Sequence, residues 1–301
     1  MGAIPTKQRQ PIAPTPSPSP EGEGGIQPTL TAATARLAAI SETPRLDAEL
    51  LMAHALGVER EALLLDQTRF TVPATFAALV ARRLTHEPIA YILGTRDFWT
   101  IHLSVGPGAL IPRADSETLI EAALEHFPDR QARLRILDLG TGPGTLLLAA
   151  LSEFPEAHGL GIDDFEKALT YAEDNALELG LEDRARFRLG DWATDLKGQF
   201  DLILCNPPYI AEAEKLMAGV VDYEPHVALF AGTDGLDDYR RIIPALPALL
   251  APDGIAILEI GWAQRAAVTA LAEAEGFTVT CRQDLAGRDR ALILRPVNST
   301  A

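Results

Sequence analysis

The feature that most constrains the fold of this chain is a regular alternation of helical and strand patterns from about residue 115 onward. Short apolar runs with the length of buried strands alternate with segments in which apolar residues have helical spacing. Alternation of this kind is typical of a mainly parallel sheet with helices on both faces. We therefore predict an α/β fold that is doubly wound around a mainly parallel, seven-stranded sheet. The strands are predicted at residues 134–138, 159–162, 185–189, 200–204, 255–260, 277–282 and 291–295.

A second pattern occupies residues 29–95, which are predicted to form a small all-α domain. Apolar residues recur there at three- and four-residue spacing, as on the buried face of a helix. Gly57 suits a helix C-terminus, and Pro73 suits a helix start. The helices are predicted within residues 30–40, 45–57 and 76–87.

Residues 96–112 connect the two patterned regions. They alternate in part between apolar and polar side chains and are interrupted by a Gly-Pro-Gly stretch, which favours a β-hairpin connector. The α/β domain is then predicted over residues 113–297. Residues 1–28 are rich in Pro, Ser and Gly and have no periodic apolar positions, so we predict a disordered tail for them.

The charge balance bears on the class of substrate. The chain has a formal net charge of -16. Within residues 1–28, Lys7 and Arg9 balance Glu21 and Glu23, so the acidity belongs to the folded part. A nucleic-acid binder normally has a basic face, because neutralisation of phosphates drives its affinity. DNA and RNA are therefore disfavoured as direct partners.

The distribution of apolar residues and cysteines bears on location. No uninterrupted apolar segment approaches the length of a membrane span, so we expect no membrane association. Cys205 and Cys281 form neither a zinc-binding pattern nor a disulfide framework. We therefore expect no metal site and a reducing, cytoplasmic location. Cys205 is expected to be buried in the core.

The first motif with chemical content follows the first strand of the α/β domain, where the pattern is strand, glycine-rich turn and helix. Gly140 and Gly142 let the backbone approach a ligand closely, and the next helix directs its N-terminus toward that ligand. Thr145 stands where a dinucleotide fingerprint has its third glycine. Asp138 precedes the turn, where its charge would repel a pyrophosphate but attract an ammonium group.

Two further acidic positions extend this motif. Asp163 ends the next strand, about 20 residues on, where its carboxylate can accept from both hydroxyls of a ribose. Asp164 is available to cap the helix that follows, which would leave Asp163 free. Trp192, which follows Asp191 after the third strand, could lie against an adenine or merely pack. A ligand with a ribose, an amine and no phosphate fits S-adenosyl-L-methionine better than NAD.

The second motif, Asn206-Pro207-Pro208-Tyr209, follows the fourth strand at the edge where open α/β sheets bind ligands. The Asn206 side-chain oxygen and the Pro207 carbonyl could accept the two hydrogens of a planar nitrogen and direct its lone pair at a methyl carbon. The prolines stiffen the corner, and Tyr209 could stack on a flat substrate group. Adenine N6, cytosine N4 and a glutamine amide all qualify; the acidity of the chain favours a protein amide.

Together with these motifs, several blocks of the chain resemble the peptide chain release factor glutamine methyltransferases (the PrmC/HemK family) over residues 30–297. Two of the similar blocks read "RRLTHEPIAYILGTRDFW" and "ALIPRADSETLIEAAL". Later similar blocks lie at residues 224–242, 258–264 and 284–290. The resemblance implies a class I methyltransferase fold, a helical domain that recognises the substrate, and methylation of the glutamine in the Gly-Gly-Gln motif of release factors.

The resemblance also implies roles for individual residues. The protein partner would be a release factor, with no direct contact to nucleic acid. The residues implied to bind the cofactor are Asp138, Leu139, Gly140, Thr141, Gly142, Asp163, Asp191, Trp192 and Asn206. The residues implied to be catalytic and to bind the substrate amide are Asn206, Pro207, Pro208 and Tyr209.

Four positions depart from the usual family pattern. Ala114 replaces a proline, Ser116 replaces a threonine, Pro143 stands where serine is usual, and Ala231 replaces the first glycine of a pair. None of these changes removes a group that the proposed chemistry uses.

Three alternative functions remain open. A ribosomal-protein glutamine methyltransferase shares Asn-Pro-Pro-Tyr but lacks the acid-Ser/Thr-Glu sequence found here at residues 115–117. An adenine-N6 or cytosine-N4 nucleic-acid methyltransferase would need a basic face and room for a flipped base. A module that binds S-adenosylmethionine without catalysis would have no need for an intact Asn-Pro-Pro-Tyr.

Overall fold

The computed structural model describes residues 25–216 and 218–297. The described residues up to Leu84 form one compact unit, and those from Thr85 onward form another. Most of the predicted tail lies outside the described residues, but helix α1 begins within its last three residues. The first unit has four α-helices, which are α1 (Ile26–Leu37), α2 (Pro44–Leu56), α3 (Arg60–Leu65) and α4 (Phe76–Leu84).

The first unit is held together by an apolar core and by buried ion pairs. Helix α1 buries four residues at three- and four-residue spacing, the pattern that predicted it. Helix α2 ends at Gly57, whose φ of 66° closes the helix in the left-handed conformation, as expected. Glu49 is 5% exposed and accepts from Arg45 and Arg60 at 2.6 and 2.7 Å. These contacts give the carboxylate the partners that a buried charge requires.

The second unit opens with helix α5 (Ile89–Leu93) and a hairpin of β1 (Thr95–Phe98) and β2 (Ile101–Ser104). The sequence assigned α5 to the helical domain, but its Tyr91 packs in the core of the second unit. The hairpin is shorter than the predicted connector, because the pairing of β1 with β2 ends at Ser104, before the Gly-Pro-Gly stretch. The residues after Ser104 then lead to the edge of the main sheet.

The main sheet has seven strands in the order β5-β4-β3-β6-β7-β9-β8. Strand β9 runs antiparallel to both of its neighbours, β7 and β8, and the other pairs of adjacent strands are parallel. The predicted fold class is therefore confirmed. The strands are β3 (Arg135–Leu139), β4 (His158–Asp163), β5 (Ala185–Leu189), β6 (Phe200–Cys205), β7 (Leu250–Glu259), β8 (Phe277–Gln283) and β9 (Asp289–Pro296).

Strand β7 starts five residues before the predicted boundary. The segment Pro252-Asp253-Gly254 suggests a turn, but pairing with β6 continues across it through a register shift. Such an irregularity lets a strand absorb residues that would otherwise end it.

Helices cover both faces of the sheet. The two faces of the sheet contribute to two clusters of buried apolar residues. In β3, Ile136 packs in the first cluster and the adjacent Leu137 packs in the second. Burial on both faces explains why the central strands contain apolar runs such as residues 202–205 of β6. Cys205, at the end of β6, is fully buried in the second cluster, as expected. The helices are α6 (Glu117–His126), α7 (Thr145–Glu153), α8 (Glu166–Glu178), α9 (Ala218–Tyr223), α10 (Asp237–Ile242), α11 (Leu246–Leu249) and α12 (Arg265–Ala274).

The strand order locates the place where a ligand is expected. The chain passes from β3 to β4 on one side of the sheet, and β6 pairs with β3 on the other side. The loops after the carboxyl ends of these parallel strands lead to opposite faces of the sheet, so a crevice forms between them. Open α/β sheets bind ligands in such a crevice. Across residues 25–216 and 218–297, no helix combines the length and the apolar character that crossing a bilayer requires.

Candidate active site

The glycine turn after β3 forms the floor of a cleft. Gly140 and Gly142 have φ of 72° and 55°, a backbone region that favours glycine. A Cβ on Gly140 would lie 3.0 Å from the Trp192 ring, whereas a Cβ on Gly142 would meet no atom within 4 Å. The absence of a side chain at Gly142 thus leaves room for a ligand, and the turn directs the N-terminus of α7 toward it.

The cleft encloses about 780 Å³ of space, part of it open to solvent. A smaller cavity of about 400 Å³ adjoins it, since Gly140, Gly142 and Asn206 line both. Of the residues proposed from sequence to bind the cofactor, those that line either space are Asp138, Gly140, Thr141, Gly142, Asp163, Asp191, Trp192 and Asn206. The Leu139 side chain is instead fully buried in the second core cluster, so only its backbone is available at the turn.

Asp138 lines the smaller cavity and is 1% exposed. Its Oδ2 accepts from the Thr141 hydroxyl at 2.7 Å and from the Leu147 backbone N–H at 3.2 Å. Its Oδ1 is buried and has no hydrogen-bond partner among the described residues. Burial raises the pKa of Asp138 to about 7. A buried carboxylate oxygen without a donor is costly, so this atom suits a cationic or N–H group of a ligand.

Asp163, at the end of β4, stabilises the glycine turn directly. Its Oδ2 accepts from the Gly142 backbone N–H at 2.8 Å, and its Oδ1 accepts from the Phe165 N–H at 3.0 Å. Burial raises the pKa of this carboxyl. Helix α8 begins at Glu166 without a side-chain cap, so the expectation that Asp164 caps it is wrong. Asp163 retains lone pairs for a ligand, since a carboxylate accepts about four hydrogen bonds.

The Asp-Trp pair after β5 forms one wall of the cleft. The Trp192 indole lies beside the glycine turn, and its Nε1 donates to Asp238 Oδ1 at 3.0 Å. The Asp191 carboxylate pairs with Arg241 at 2.6 Å. Both partners belong to α10, which the sequence did not connect with this site. The Asp238 contact holds the indole at the cleft wall, where it also packs against the second core cluster.

The cleft has further lining residues that sequence reasoning missed. Leu110, Phe165 and Val227 supply apolar surface to the cleft. Phe165 is 41% exposed, and Val227 is 70% exposed. An aromatic residue two positions after the end of a strand was a usable signal for Phe165. Nothing local in the sequence marked Leu110 or Val227, because their chain segments reach the cleft only through the tertiary fold.

The Asn206 amide lies where the cleft and the smaller cavity meet. Its Nδ2 donates to the Ser116 hydroxyl at 3.1 Å. Ser116 in turn donates to Glu259 Oε2 at 2.5 Å. The Tyr209 hydroxyl donates to the other oxygen of Glu259 at 3.3 Å, and the Tyr209 carbonyl accepts from the Gln264 amide at 2.9 Å. The asparagine and the tyrosine of the motif are therefore anchored to the same carboxylate.

Glu259 is the central group of this network and was not identified from sequence. It is 0% exposed and ends β7, beside β6. Burial raises its pKa to about 7, while the Ser116 hydrogen bond and nearby Arg290 act in the opposite direction. A charged residue inside an apolar strand was the available signal, but its partners depend on the sheet order.

Comparison with known proteins identifies the family to which the chain is similar. Residues 29–94 match the family described as PrmC N-terminal domain, and residues 130–276 match a family described as methyltransferase domain. A release factor glutamine methyltransferase of Rhodospirillum rubrum is 46% identical over 260 residues, which cover 84% of this chain and 79% of that protein. The protein of the same name from Bradyrhizobium diazoefficiens is 41% identical over 273 residues, covering 88% and 92%.

The solved structures add information on the fold alone. The catalytic domain of hMettl16, determined in complex with the MAT2A 3'UTR hairpin 6, has a TM-score of 0.51 and 17% identity to this chain. The similarity covers 66% of this chain and 77% of that one. At this identity it supports the Rossmann-like methyltransferase architecture and says nothing about the substrate.

Proposed function

Because the chain belongs to the release factor glutamine methyltransferase family, we propose that it transfers a methyl group from S-adenosylmethionine to the side-chain nitrogen of the glutamine in the Gly-Gly-Gln motif of a release factor. The main structural support for the proposal is the Asn206 amide, which a hydrogen bond holds in place. Its Nδ2 is engaged by Ser116, so its Oδ1 is left as an acceptor where the two cavities meet.

The residues present fit S-adenosylmethionine. Its ammonium group would supply the donor that Asp138 Oδ1 lacks. Its ribose hydroxyls would donate to Asp163, and its adenine would lie against the Trp192 indole. Asp191 remains a proposed acceptor for the adenine amine, since pairing with Arg241 leaves it lone pairs. The cofactor supplies an electrophilic methyl group on a sulfonium centre.

The protein's own contribution to the reaction is positioning. An amide nitrogen is a poor nucleophile because its lone pair is delocalised into the carbonyl. Asn206 Oδ1 and the Pro207 carbonyl would accept its two hydrogens and hold the nitrogen in line with the methyl carbon. Holding reactants in such a geometry can contribute several kcal/mol, on the order of 7–11 kcal/mol at its upper limit. The ring of Tyr209 would pack on the flat amide.

The proton balance needs no strong base. Direct transfer breaks the bond between sulfur and methyl and forms the bond between nitrogen and methyl, without a covalent intermediate on the enzyme. The alkylated amide is strongly acidic, so it loses a proton to water. The Tyr209 hydroxyl does not act as a base in this scheme, because partial burial raises its pKa and keeps it protonated.

The test is transfer of a labelled methyl group from S-adenosylmethionine to an intact release factor, with Asn206→Ala as the diagnostic variant. We expect this variant to lose turnover while its affinity for S-adenosylmethionine falls at most about tenfold, as loss of roughly one hydrogen bond implies. Binding is measured by calorimetry on the same preparation.

Two controls separate the alternatives. A release factor whose tip glutamine is replaced by alanine should accept no methyl group, and duplex DNA and RNA should accept none either. Transfer to the nucleic acids alone would support the adenine or cytosine alternative. Undiminished turnover by Asn206→Ala would contradict the acceptor role.

A further inference from the structure

An asparagine amide has two ends of nearly equal shape, but only one of them accepts hydrogen bonds. If Asn206 presented Nδ2 to a substrate amide, two N–H groups would face each other and the acceptor would be lost. The proposed reaction therefore depends on something that fixes the orientation of this side chain. The Asn206 backbone cannot do so, because the terminal torsion of asparagine is broad.

The Ser116 hydroxyl supplies a directional constraint. It has one hydrogen, and the 2.5 Å contact to Glu259 Oε2 uses it. An ionised carboxylate only accepts, so the serine must donate there. Toward Asn206, 3.1 Å away, the same oxygen can then only accept. The end of the amide that faces Ser116 must consequently be Nδ2.

We propose that Ser116 and Glu259 are positioning residues that orient the Asn206 amide so that its Oδ1 faces the substrate nitrogen. This inference rests on the proposed function. Ser116 contacts Asn206 directly, and Glu259 acts on Asn206 through Ser116. Because the second oxygen of Glu259 accepts from Tyr209, one buried carboxylate sets both the acceptor and the ring of the motif.

The protonation state of Glu259 should make the orientation of Asn206 depend on pH. A protonated Glu259 can donate its own hydrogen to Ser116 Oγ. The serine hydrogen is then free to point at Asn206, which would favour the reversed amide. Burial raises the pKa of Glu259 to about 7. We therefore expect kcat to fall as the pH decreases through about 7, since the carboxylate is then lost.

The surroundings of Glu259 are consistent with this titration. Arg290 favours the ionised form, and Asp115 opposes it. Tyr209, Tyr239 and Cys205 remain neutral, because burial raises the pKa of each. The titratable and charged groups that face Glu259 are thus Asp115, Cys205, Tyr209, Tyr239 and Arg290.

The test measures kcat and KM for an intact release factor at saturating S-adenosylmethionine, which removes the contribution of Asp138. We expect Ser116→Ala to lower kcat about 10- to 100-fold, as loss of an orienting hydrogen bond implies. KM and the Kd for S-adenosylmethionine should change less than about threefold. Ser116→Thr retains the hydroxyl and should keep most of kcat, and Ser152→Ala, on α7, is the matched control outside the site.

The variant Glu259→Gln removes the charge of this side chain and keeps its shape. Its amide oxygen can accept from Ser116 and its NH2 can donate to Tyr209, so the network is kept but no longer titrates. We expect it to retain measurable kcat and to lose the decrease below pH 7. Ser116→Ala with wild-type kcat, Ser116→Thr as slow as Ser116→Ala, or an unchanged acid limb in Glu259→Gln would overturn the inference. Failure of the wild-type protein to methylate the release factor would instead contradict the proposed function.

Discussion

At the scale of single residues, two buried carboxyl groups have opposite environments. Both Asp138 and Glu259 have a pKa raised to about 7 by burial. Glu259 has a donor on each oxygen, whereas one oxygen of Asp138 has none among the described residues. We propose that a ligand supplies the donor that Asp138 lacks, whereas Glu259 already has its donors within the protein. The position of Asp138 at the end of a predicted strand identified it from sequence; Glu259 needed the tertiary fold.

The environment of Asp138 predicts how stability depends on pH. The folded protein without cofactor holds the Asp138 proton more tightly than the unfolded chain does, because its pKa is raised from 3.8 to about 7. Its contribution to stability is therefore lost as the pH rises from about 4 to about 7. Asp138→Asn removes this penalty, so its Tm relative to the wild type should increase by a few degrees between pH 5 and pH 8.

The same variant should bind S-adenosylmethionine at least about tenfold more weakly at pH 8, since the ammonium group loses a charged partner. Thermal unfolding without cofactor and calorimetric titration check the two effects. A Tm difference that is the same at both pH values, or an unchanged Kd, would refute this role of Asp138.

At the scale of secondary-structure elements, all seven strands of the main sheet were predicted, and the bounds of some were less accurate. Strand β5 has its predicted bounds, and β3 is displaced by one residue. Strand β7 was misjudged because a Pro-Asp-Gly segment signals a turn unless a neighbouring strand continues to pair with it. Helix α10 was missed as part of the site for a related reason. Its Asp238 and Arg241 meet the Asp-Trp pair only after the chain has folded.

The glycine turn after β3 allows a matched pair of substitutions. Gly140 and Gly276 have φ of 72° and 81°, so alanine costs about 1–2 kcal/mol of backbone strain at either site. Only at Gly140 would the new Cβ press on the Trp192 ring, at 3.0 Å, since nothing lies within 4 Å at Gly276. We expect both variants to have a lower Tm. Gly140→Ala alone should also bind S-adenosylmethionine more weakly, by about tenfold or more.

Calorimetry of the two variants separates a local effect from a general loss of stability. Equal affinity in Gly140→Ala and the wild type would mean that the indole does not contact the adenine. A similar loss in Gly276→Ala would mean that affinity merely follows stability.

At the scale of the whole molecule, the chain combines a helical unit with a methyltransferase domain and is strongly acidic. The acidic composition favoured a protein substrate over a nucleic acid. It did not predict which protein, and that assignment came from the resemblance over residues 30–297. We propose that the helical domain binds the body of the release factor, which would help to bring its Gly-Gly-Gln motif to the catalytic site.

This proposal predicts that the tip alone is a poor substrate. A peptide that contains Gly-Gly-Gln should have a kcat/KM at least about tenfold below that of the intact release factor, because it lacks the contacts that would be made by the helical domain. Steady-state kinetics on the two substrates check this expectation. Equal kcat/KM values would exclude a contribution of the release factor body to recognition.

We propose that the methyl group is placed on one glutamine side chain. The most direct test is peptide-mapping mass spectrometry of an intact release factor after incubation with the wild-type protein and isotopically labelled S-adenosylmethionine. We expect a single labelled methyl group on the side-chain amide of the Gly-Gly-Gln glutamine. A label on another residue, or a release factor that stays unlabelled while S-adenosylmethionine binds normally, would contradict it.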